Sequence, residues 1–330
     1  MSIEYSATDN PHKWIETIAE QLSVPVINDE VRIPSQMGEG FFRQYYPCEW
    51  LTVSFLRFKV KTAMHAHRLG LESRSLVPIV FYLAEAKQFV DNKAYDVGNL
   101  QYNGVFMPSP EIESRWIFPA DTWQTNLTLT FNKKWLLREL GESPYNYMYE
   151  LLSCGNPFYI FESLKPPVLE VIAKIEDCAA CRENQHRFLI YEYAVSLFNR
   201  FITQLNQRQH PEVYNSLHPA DIDAVFRVRK IILENIAAPP SLNLLADHAR
   251  MSVSKLQKCF KHVFGKNISN YALHEKMEMA KTLLSSGMYS VSDVGYKLGY
   301  SNISHFARAF YNEHQIKPNN YISHCKVERL

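Results

Sequence analysis

SVSKLQKCFKHVFGKNISNY, from Ser252 to Tyr271, and NISHFARAFYNEHQIKPNNY, from Asn302 to Tyr321, are one pattern written twice at an offset of 50 residues. Ser254 pairs with Ser304, Leu256 with Phe306, Lys258 with Arg308, Phe260 with Phe310 and Tyr271 with Tyr321. A fixed internal period marks a structural unit used more than once. A short amphipathic stretch precedes each copy, SLNLLADHAR before the first and SVSDVGYKLGY before the second, with Leu244 matching Val294 at the same offset.

Each copy reads as helix, tight turn, helix. Ser252 and Asn302 stand where an N-cap belongs, their side-chain oxygens placed to accept a backbone N–H of the new helix. Leu256, Phe260, Val263 and Phe264 recur at helical spacing, and Gly265 ends the helix. The opposite face carries Ser254, Lys255, Gln257, Lys258 and Lys261, and in the second copy Ser304, His305, Ala307 and Arg308. With the two caps, these polar side chains form a set able to bond phosphates and base edges, Arg or Lys suiting guanine and Gln suiting adenine. Gln257 and Lys258 are the expected base readers. Ile303 and Ala307 offer little hydrogen bonding, so the second helix is expected to lean on phosphates. Ile268 to Ser286 reads as one helix closed by Gly287. Its length of about 28 Å at about 1.5 Å per residue is comparable with one turn of duplex DNA, about 34 Å.

Charge agrees with this division. From Asp221 onward there are 15 Lys and Arg against 9 Asp and Glu, whereas the preceding residues hold 20 against 25. A basic C-terminal third behind a mildly acidic body fits one domain that meets a polyanion and one that does not.

These residues resemble the DNA-binding domain of the AraC/XylS family of bacterial transcription regulators. The resemblance rests on Leu245 and Ala246, Ser252 to Leu256, Phe260 to Gly265, Tyr271, Lys276, Ala280, Leu283 and Leu284. It continues through Ser290 to Val294, Gly299 to Ser301, and Ser304 to Phe310, as far as Pro318 and Tyr321. Three departures stand out: Ile268 where the family usually has proline, Gln315 where it usually has glycine, and Tyr311 where lysine is common. The resemblance implies a double helix-turn-helix that binds operator DNA, with RNA polymerase as a partner, a lean towards activation, and a cytoplasmic, effector-responsive homodimer.

The expected architecture is α+β and multidomain. A sensor and dimerisation domain spans 1–206, a linker 207–220, and the DNA-binding domain 221–330. Within the first, strands are expected over about 41–131 and helices over about 132–206. Leu51 to Val60 alternates partly, and Val77 to Leu83 and Asn126 to Phe131 are further candidate strands. Strands closing into a cupin-like jelly roll would resemble the AraC-type sensor domain, and such a barrel can hold a small molecule in its mouth. Trp50, Arg57, His65, His67, Tyr82, Arg115, Trp116 and Trp123 are the candidate ligand-binding residues. Lys165 to Gln207 reads as helical, and the resemblance implies dimerisation through its apolar residues, among them Leu197 and Ile202.

Other chemistry finds less support. His65 and His67 with Glu72 resemble the first metal motif of cupin enzymes, but no histidine lies between Phe106 and Phe118 to complete it. A cupin-like metalloenzyme fused to a DNA-binding module is the rival reading, and a regulator without a ligand is another. Cys178 and Cys181 have the spacing of a redox or zinc pair without a second pair. No nucleophile elbow, phosphate loop or dinucleotide fingerprint occurs, so neither a catalytic residue nor a cofactor is expected. There is neither an apolar run of membrane-spanning length nor a secretory signal pattern.

Overall fold

A computed structural model describes residues 2–6, 12–69, 75–82, 87–90, 93–96, 104–109, 114–142, 146–155, 158–164, 166–180, 186–208 and 219–327. Two compact units divide the chain, Met1–Asp223 and Ala224–Leu330. The first is rich in strands and the second is helical.

The N-terminal unit begins with β1 (Ser2–Ser6), α1 (His12–Leu22), β2 (Glu30–Arg32), β3 (Gly38–Cys48) and β4 (Leu51–Val60). Next come β5 (Met64–Leu69), β6 (Leu76–Tyr82), β7 (Lys87–Val90), β8 (Lys93–Asp96), β9 (Gly104–Pro108), β10 (Ser114–Phe118) and β11 (Gln124–Asn132). Then follow α2 (Lys133–Leu140), α3 (Tyr147–Ser153), β12 (Tyr159–Ser163), α4 (Pro166–Ala180) and α5 (His186–Asn206). A five-stranded sheet runs β1-β5-β10-β7-β8, and a seven-stranded sheet runs β12-β9-β6-β11-β4-β3-β2. From β4 to β11 the chain passes back and forth between the two sheets, the winding of a jelly roll.

Strand alternation decides what each sheet face meets. Leu51, Val53 and Phe55 of β4 share a face with Leu127, Leu129 and Phe131 of β11, and these join one buried cluster with Ile172 of α4 and Leu197 and Phe201 of α5. Phe131 meets Phe198 at a ring separation of 4.2 Å. The other face looks at the second sheet, where Phe58 packs edge-on against Phe118 at 5.0 Å.

Strands extend beyond the expected range of 41–131. β1, β2 and the start of β3 precede it, and β12 lies inside the 132–206 stretch expected to be helical. Tyr159, Ile160 and Phe161 are all buried. A short strand covered on both faces shows no alternation, and its sequence alone does not separate it from a helix segment. The stretch after Lys165 expected to be helical holds α4 and α5. Ile190, Ala194 and Leu197 are 0% exposed in the unit's own core. That corrects the expectation that Leu197 forms a dimer seam: its side chain is already spent on the fold.

In the C-terminal unit lie most of α6 (Pro219–Glu234), then α7 (Leu242–Ala249), α8 (Val253–Phe264), α9 (Ile268–Ser285), α10 (Val291–Lys297), α11 (Ile303–His314) and α12 (Pro318–Val327). Around the first repeat Phe260, Phe264 and Tyr271 pack as a ring cluster, with Phe226 of α6 against Phe264. Phe306, Phe310 and Tyr321 repeat it in the second. Arg229 of α6 donates to the Tyr271 hydroxyl at 2.7 Å, pinning α6 to α9.

The repeat is not uniform. Leu244 is 47% exposed while Leu245 and Val294 are each 0% exposed. The buried residue of α7 that matches Val294 is therefore Leu245, one place later than the offset of the recognition helices indicates. The difference is one additional residue in the second turn. Arg250 at φ 54° and Gly299 at φ 83° close α7 and α10 in equivalent left-handed positions, and one further residue separates Gly299 from its N-cap.

Candidate nucleic-acid interface

Both recognition helices begin on a side-chain cap. Ser252 Oγ accepts the Lys255 N–H at 3.2 Å, and Asn302 Oδ1 accepts the Ser304 N–H at 2.8 Å. Capping uses the acceptor of each side chain and leaves the Ser252 hydroxyl hydrogen and the Asn302 amide hydrogens as donors at the head of each helix. Leu256 and Phe260 turn inward in α8, as do Phe306 and Phe310 in α11. That packing forces Ser254, Lys255 and Lys258, and likewise Ser304, His305 and Arg308, onto the exposed face. Lys261 is half-buried on the same side of α8.

Gln257 is placed differently. Its side-chain oxygen accepts the N–H of Ile268 at 3.2 Å, so the amide is engaged at the first residue of α9. Proline, which lacks that N–H, is suited to this position of a helix. In the second repeat Pro318 opens α12 and Ala307 replaces the glutamine. The departure at Ile268 thus comes with its own hydrogen-bond acceptor. Of the other two, Gln315 closes α11 in the left-handed conformation at φ 56°. Tyr311 is exposed on α11, beside Ala307 and Arg308.

The two helix-turn-helix repeats are tied together around Glu313 at the end of α11. His274 of α9 is hydrogen-bonded to its carboxylate through Nδ1, and Lys266 Nζ, from the turn after α8, lies 3.9 Å away. The bond to His274 holds the Glu313 carboxyl below the usual carboxylate range, against a smaller opposing effect of burial. Alongside, His314 Nε2 lies 3.1 Å from the Met277 carbonyl oxygen and its Nδ1 lies 3.9 Å from Glu278. Lys276 donates to the Ala237 carbonyl at 2.9 Å, and burial pulls its ammonium below the ordinary lysine value.

Residues 245–324 match the helix-turn-helix domain family. The C-terminal unit is an AraC/XylS-type DNA-binding domain. The chain is 28% identical over 120 residues to the HTH-type transcriptional regulator ArgR of Pseudomonas aeruginosa, covering 36% of this chain and 35% of that protein. It is 24% identical over 135 residues to the Arabinose operon regulatory protein of Escherichia coli, covering 41% and 46%. The match to the XylDLEGF operon transcriptional activator of Pseudomonas putida is also 24%, over 139 residues, 41% of this chain and 42% of that one. The chain therefore aligns with less than half the length of these curated relatives. Among solved structures, an AraC-type transcriptional regulator from Chromobacterium violaceum aligns with 23% identity and a TM-score of 0.31, covering 33% of this chain and 96% of that one.

The candidate ligand residues of the N-terminal unit whose side chains are described do not converge. Trp50 stacks on Trp135 of α2 at 3.5 Å, on the helix-covered side of the seven-stranded sheet. Arg57 is exposed, and Trp123, 43% exposed, lies under Arg57 and Lys59. His65 and His67 alternate with the buried Met64 and Ala66 and so point out of the sandwich. Arg115 and Trp116 fall on β10 opposite His67 and Ala66, and their side chains are outside the described set. Of these candidates, Tyr82 is the one whose described side chain is buried on the inner face. Glu72, Cys181 and 209–218 of the expected linker also lie outside the described residues, and Cys178 is buried. Among the described residues no group of three His, Cys, Asp or Glu can hold a metal ion, and no helix is long and apolar enough to cross a membrane.

Sequence reasoning missed the polar residues that do face inward. Gln44, Ser54, Gln124 and Asn126 are each buried on the inner face of the seven-stranded sheet. Gln44 donates to Ser54 Oγ at 3.1 Å and accepts from the Tyr46 hydroxyl at 2.6 Å. Gln124 Oε1 and Asn126 Oδ1 are buried with no hydrogen-bond partner among the described residues. The signal was present in QTNLTLTFN, where polar residues alternate with Leu127, Leu129 and Phe131.

Proposed function

We propose that this chain is a transcription regulator that places α8 and α11 in successive major grooves of operator DNA and responds to a small molecule held in its N-terminal unit. The carrying observation is the pair of capped recognition helices, each with cationic side chains outward, joined by α9 of 18 residues. Lys255, Lys258, Lys261 and Arg308 supply charge for phosphates and donors for base edges. Ser252, Ser254, Asn302, Ser304 and His305 add shorter donors. The relatives, which include a transcriptional activator, favour activation with RNA polymerase as the protein partner. A bacterial cytoplasm and a homodimer complete the reading. The test is binding of the full chain to duplexes from a random pool across a salt series. Affinity should fall steeply with salt as counterions are displaced. Absent or salt-insensitive binding overturns the reading.

The effector half rests on the inner face of the sandwich. A buried acceptor without a donor costs about 1–3 kcal/mol. Gln124 Oε1 and Asn126 Oδ1 therefore favour an occupant carrying N–H or O–H donors, with Tyr82 opposite Asn126 on the neighbouring strand. A library of small polyols and amides should raise the melting temperature of the full chain through this site, and Asn126→Leu should remove that effect while DNA binding persists. The metalloenzyme alternative is less favoured, because His65 and His67 point away from this space.

A further inference from the structure

Ile303, Ala307 and Tyr311 form a strip one turn apart along the flank of α11, half-buried at Ile303 and Ala307 and exposed at Tyr311, with the exposed Ser304 and Arg308 beside it and Ile303 reaching towards Gly295 of α10. The matching strip of α8 is Val253, Gln257 and Lys261. In α8 the middle residue reaches across to the head of α9 and fills the corner between the two helices. In α11 the corresponding corner is built from Ala307 and Pro318, which have neither a side-chain acceptor nor an N–H to satisfy. An open recess of about 400 Å³ remains there, with Val291, Ile303, Ala307, Tyr311 and Pro318 in its lining and Arg308 and Lys317 also contributing.

We propose that the strip Ile303, Ala307 and Tyr311 reads thymine through its 5-methyl group. The half-site under α11 would then be specified largely by methyl contacts, and the half-site under α8 by hydrogen bonds. This rests on the reading that both helices enter the major groove of duplex DNA. A base edge in that groove offers acceptors, donors and, on thymine alone, a methyl group. Isoleucine and alanine carry no side-chain hydrogen-bonding group, so the methyl is the one feature of a base edge that they favour. The recess gives that methyl an apolar seat. Arg308 and Lys317, both exposed, supply cations for the phosphates on either side.

The probe is a duplex that the full chain selects from a random pool, with its α11 half-site identified as the one whose protection Arg308→Ala weakens. Each thymine is then replaced singly by deoxyuridine, which removes the methyl and leaves every hydrogen-bonding atom in place. Each contacted methyl under α11 should be worth about fourfold in affinity, and deoxyuridine under α8 should change little. Ala307→Gln, which writes the α8 strip onto α11, should abolish the deoxyuridine effect in a chain that still binds DNA. Deoxyuridine that is neutral throughout the α11 half-site of a well-bound duplex overturns the methyl proposal alone. Failure to enrich any duplex overturns the DNA-binding reading beneath it.

Discussion

The side-chain oxygen of Gln257 accepts the backbone N–H of Ile268 across 3.2 Å, and the same two places in the second repeat hold Ala307 and Pro318. An acceptor accompanies the N–H in one repeat, and both are missing in the other. Gln257→Ala should therefore cost about 1 kcal/mol of stability in urea unfolding. In an Ile268→Pro background, where no N–H is left to satisfy, the same change should cost much less. Strict additivity of the two substitutions in a double-mutant cycle would rule out the coupling.

The same bond bears on specificity. A bidentate contact from glutamine to adenine needs the amide oxygen and nitrogen together, so Gln257 would have to release Ile268 to make one. Lys258, exposed on the same helix, carries no such commitment. Lys258→Ala should relax preference for a selected duplex over a scrambled one by about tenfold or more, and Gln257→Ala by less. The reverse order, measured at fixed salt, would return base reading to Gln257.

Two left-handed positions separate tolerated strain from a required glycine. Gln315 holds φ 56° at the end of α11, so Gln315→Gly should stabilise the chain by about 0.5–1 kcal/mol. Gly299 holds φ 83°, and a Cβ there would lie 2.4 Å from the Ala237 carbonyl oxygen. Gly299→Ala should destabilise by more than about 1 kcal/mol. Thermal unfolding of the two variants should move in opposite directions.

Leu197 and Phe188 lie on the same helix and have opposite surroundings, 0% and 83% exposed. Leu197→Ala should cost about 2–5 kcal/mol by leaving a cavity in the core. Phe188→Asp should leave the melting temperature unchanged. If the chain dimerises through the exposed side of α5, Phe188→Asp should also yield monomers in sedimentation. Leu197→Ala that dissociates a dimer without loss of stability would contradict the packing.

The repeat was legible because Leu256 and Phe306, or Phe260 and Phe310, must be apolar whichever DNA they serve, and helical spacing writes that need into the chain. Ser252 and Asn302 were legible as caps for a similar local reason. The one-residue slip between Leu244 and Leu245 was not, because a turn absorbs an extra residue without changing either helix. The inner face of the sandwich was hidden for another reason. Aromatic residues such as Trp50 and Trp123 pack well on either side of a sheet, so their identity does not tell which side they take. The bond from Gln257 to Ile268 was not legible, because amphipathic spacing places a side chain on a face but does not show which neighbour it bonds.

Acid should loosen the join between the two helix-turn-helix repeats before it unfolds either. Glu313 faces His274 of α9 and Lys266 of the turn after α8, with His314 and Glu278 alongside. Its carboxyl is held below the ordinary carboxylate value of 4.5, first by the bond to His274. A carboxyl whose folded value is depressed contributes stability that is fully present above the unfolded value and fades as pH falls through the folded one. The part of that contribution carried by the Glu313 carboxylate should therefore be in place above about 4.5 and decline as pH falls below it. Glu313→Gln removes the titrating group, so the stability gap between the two proteins should narrow below that point. Because Glu313 spans elements of both repeats, the variant should also discriminate less between duplexes whose two half-sites are spaced normally and those with one base pair inserted. A gap that stays constant through the acid range, with spacing preference intact, would show that Glu313 does not hold the repeats together.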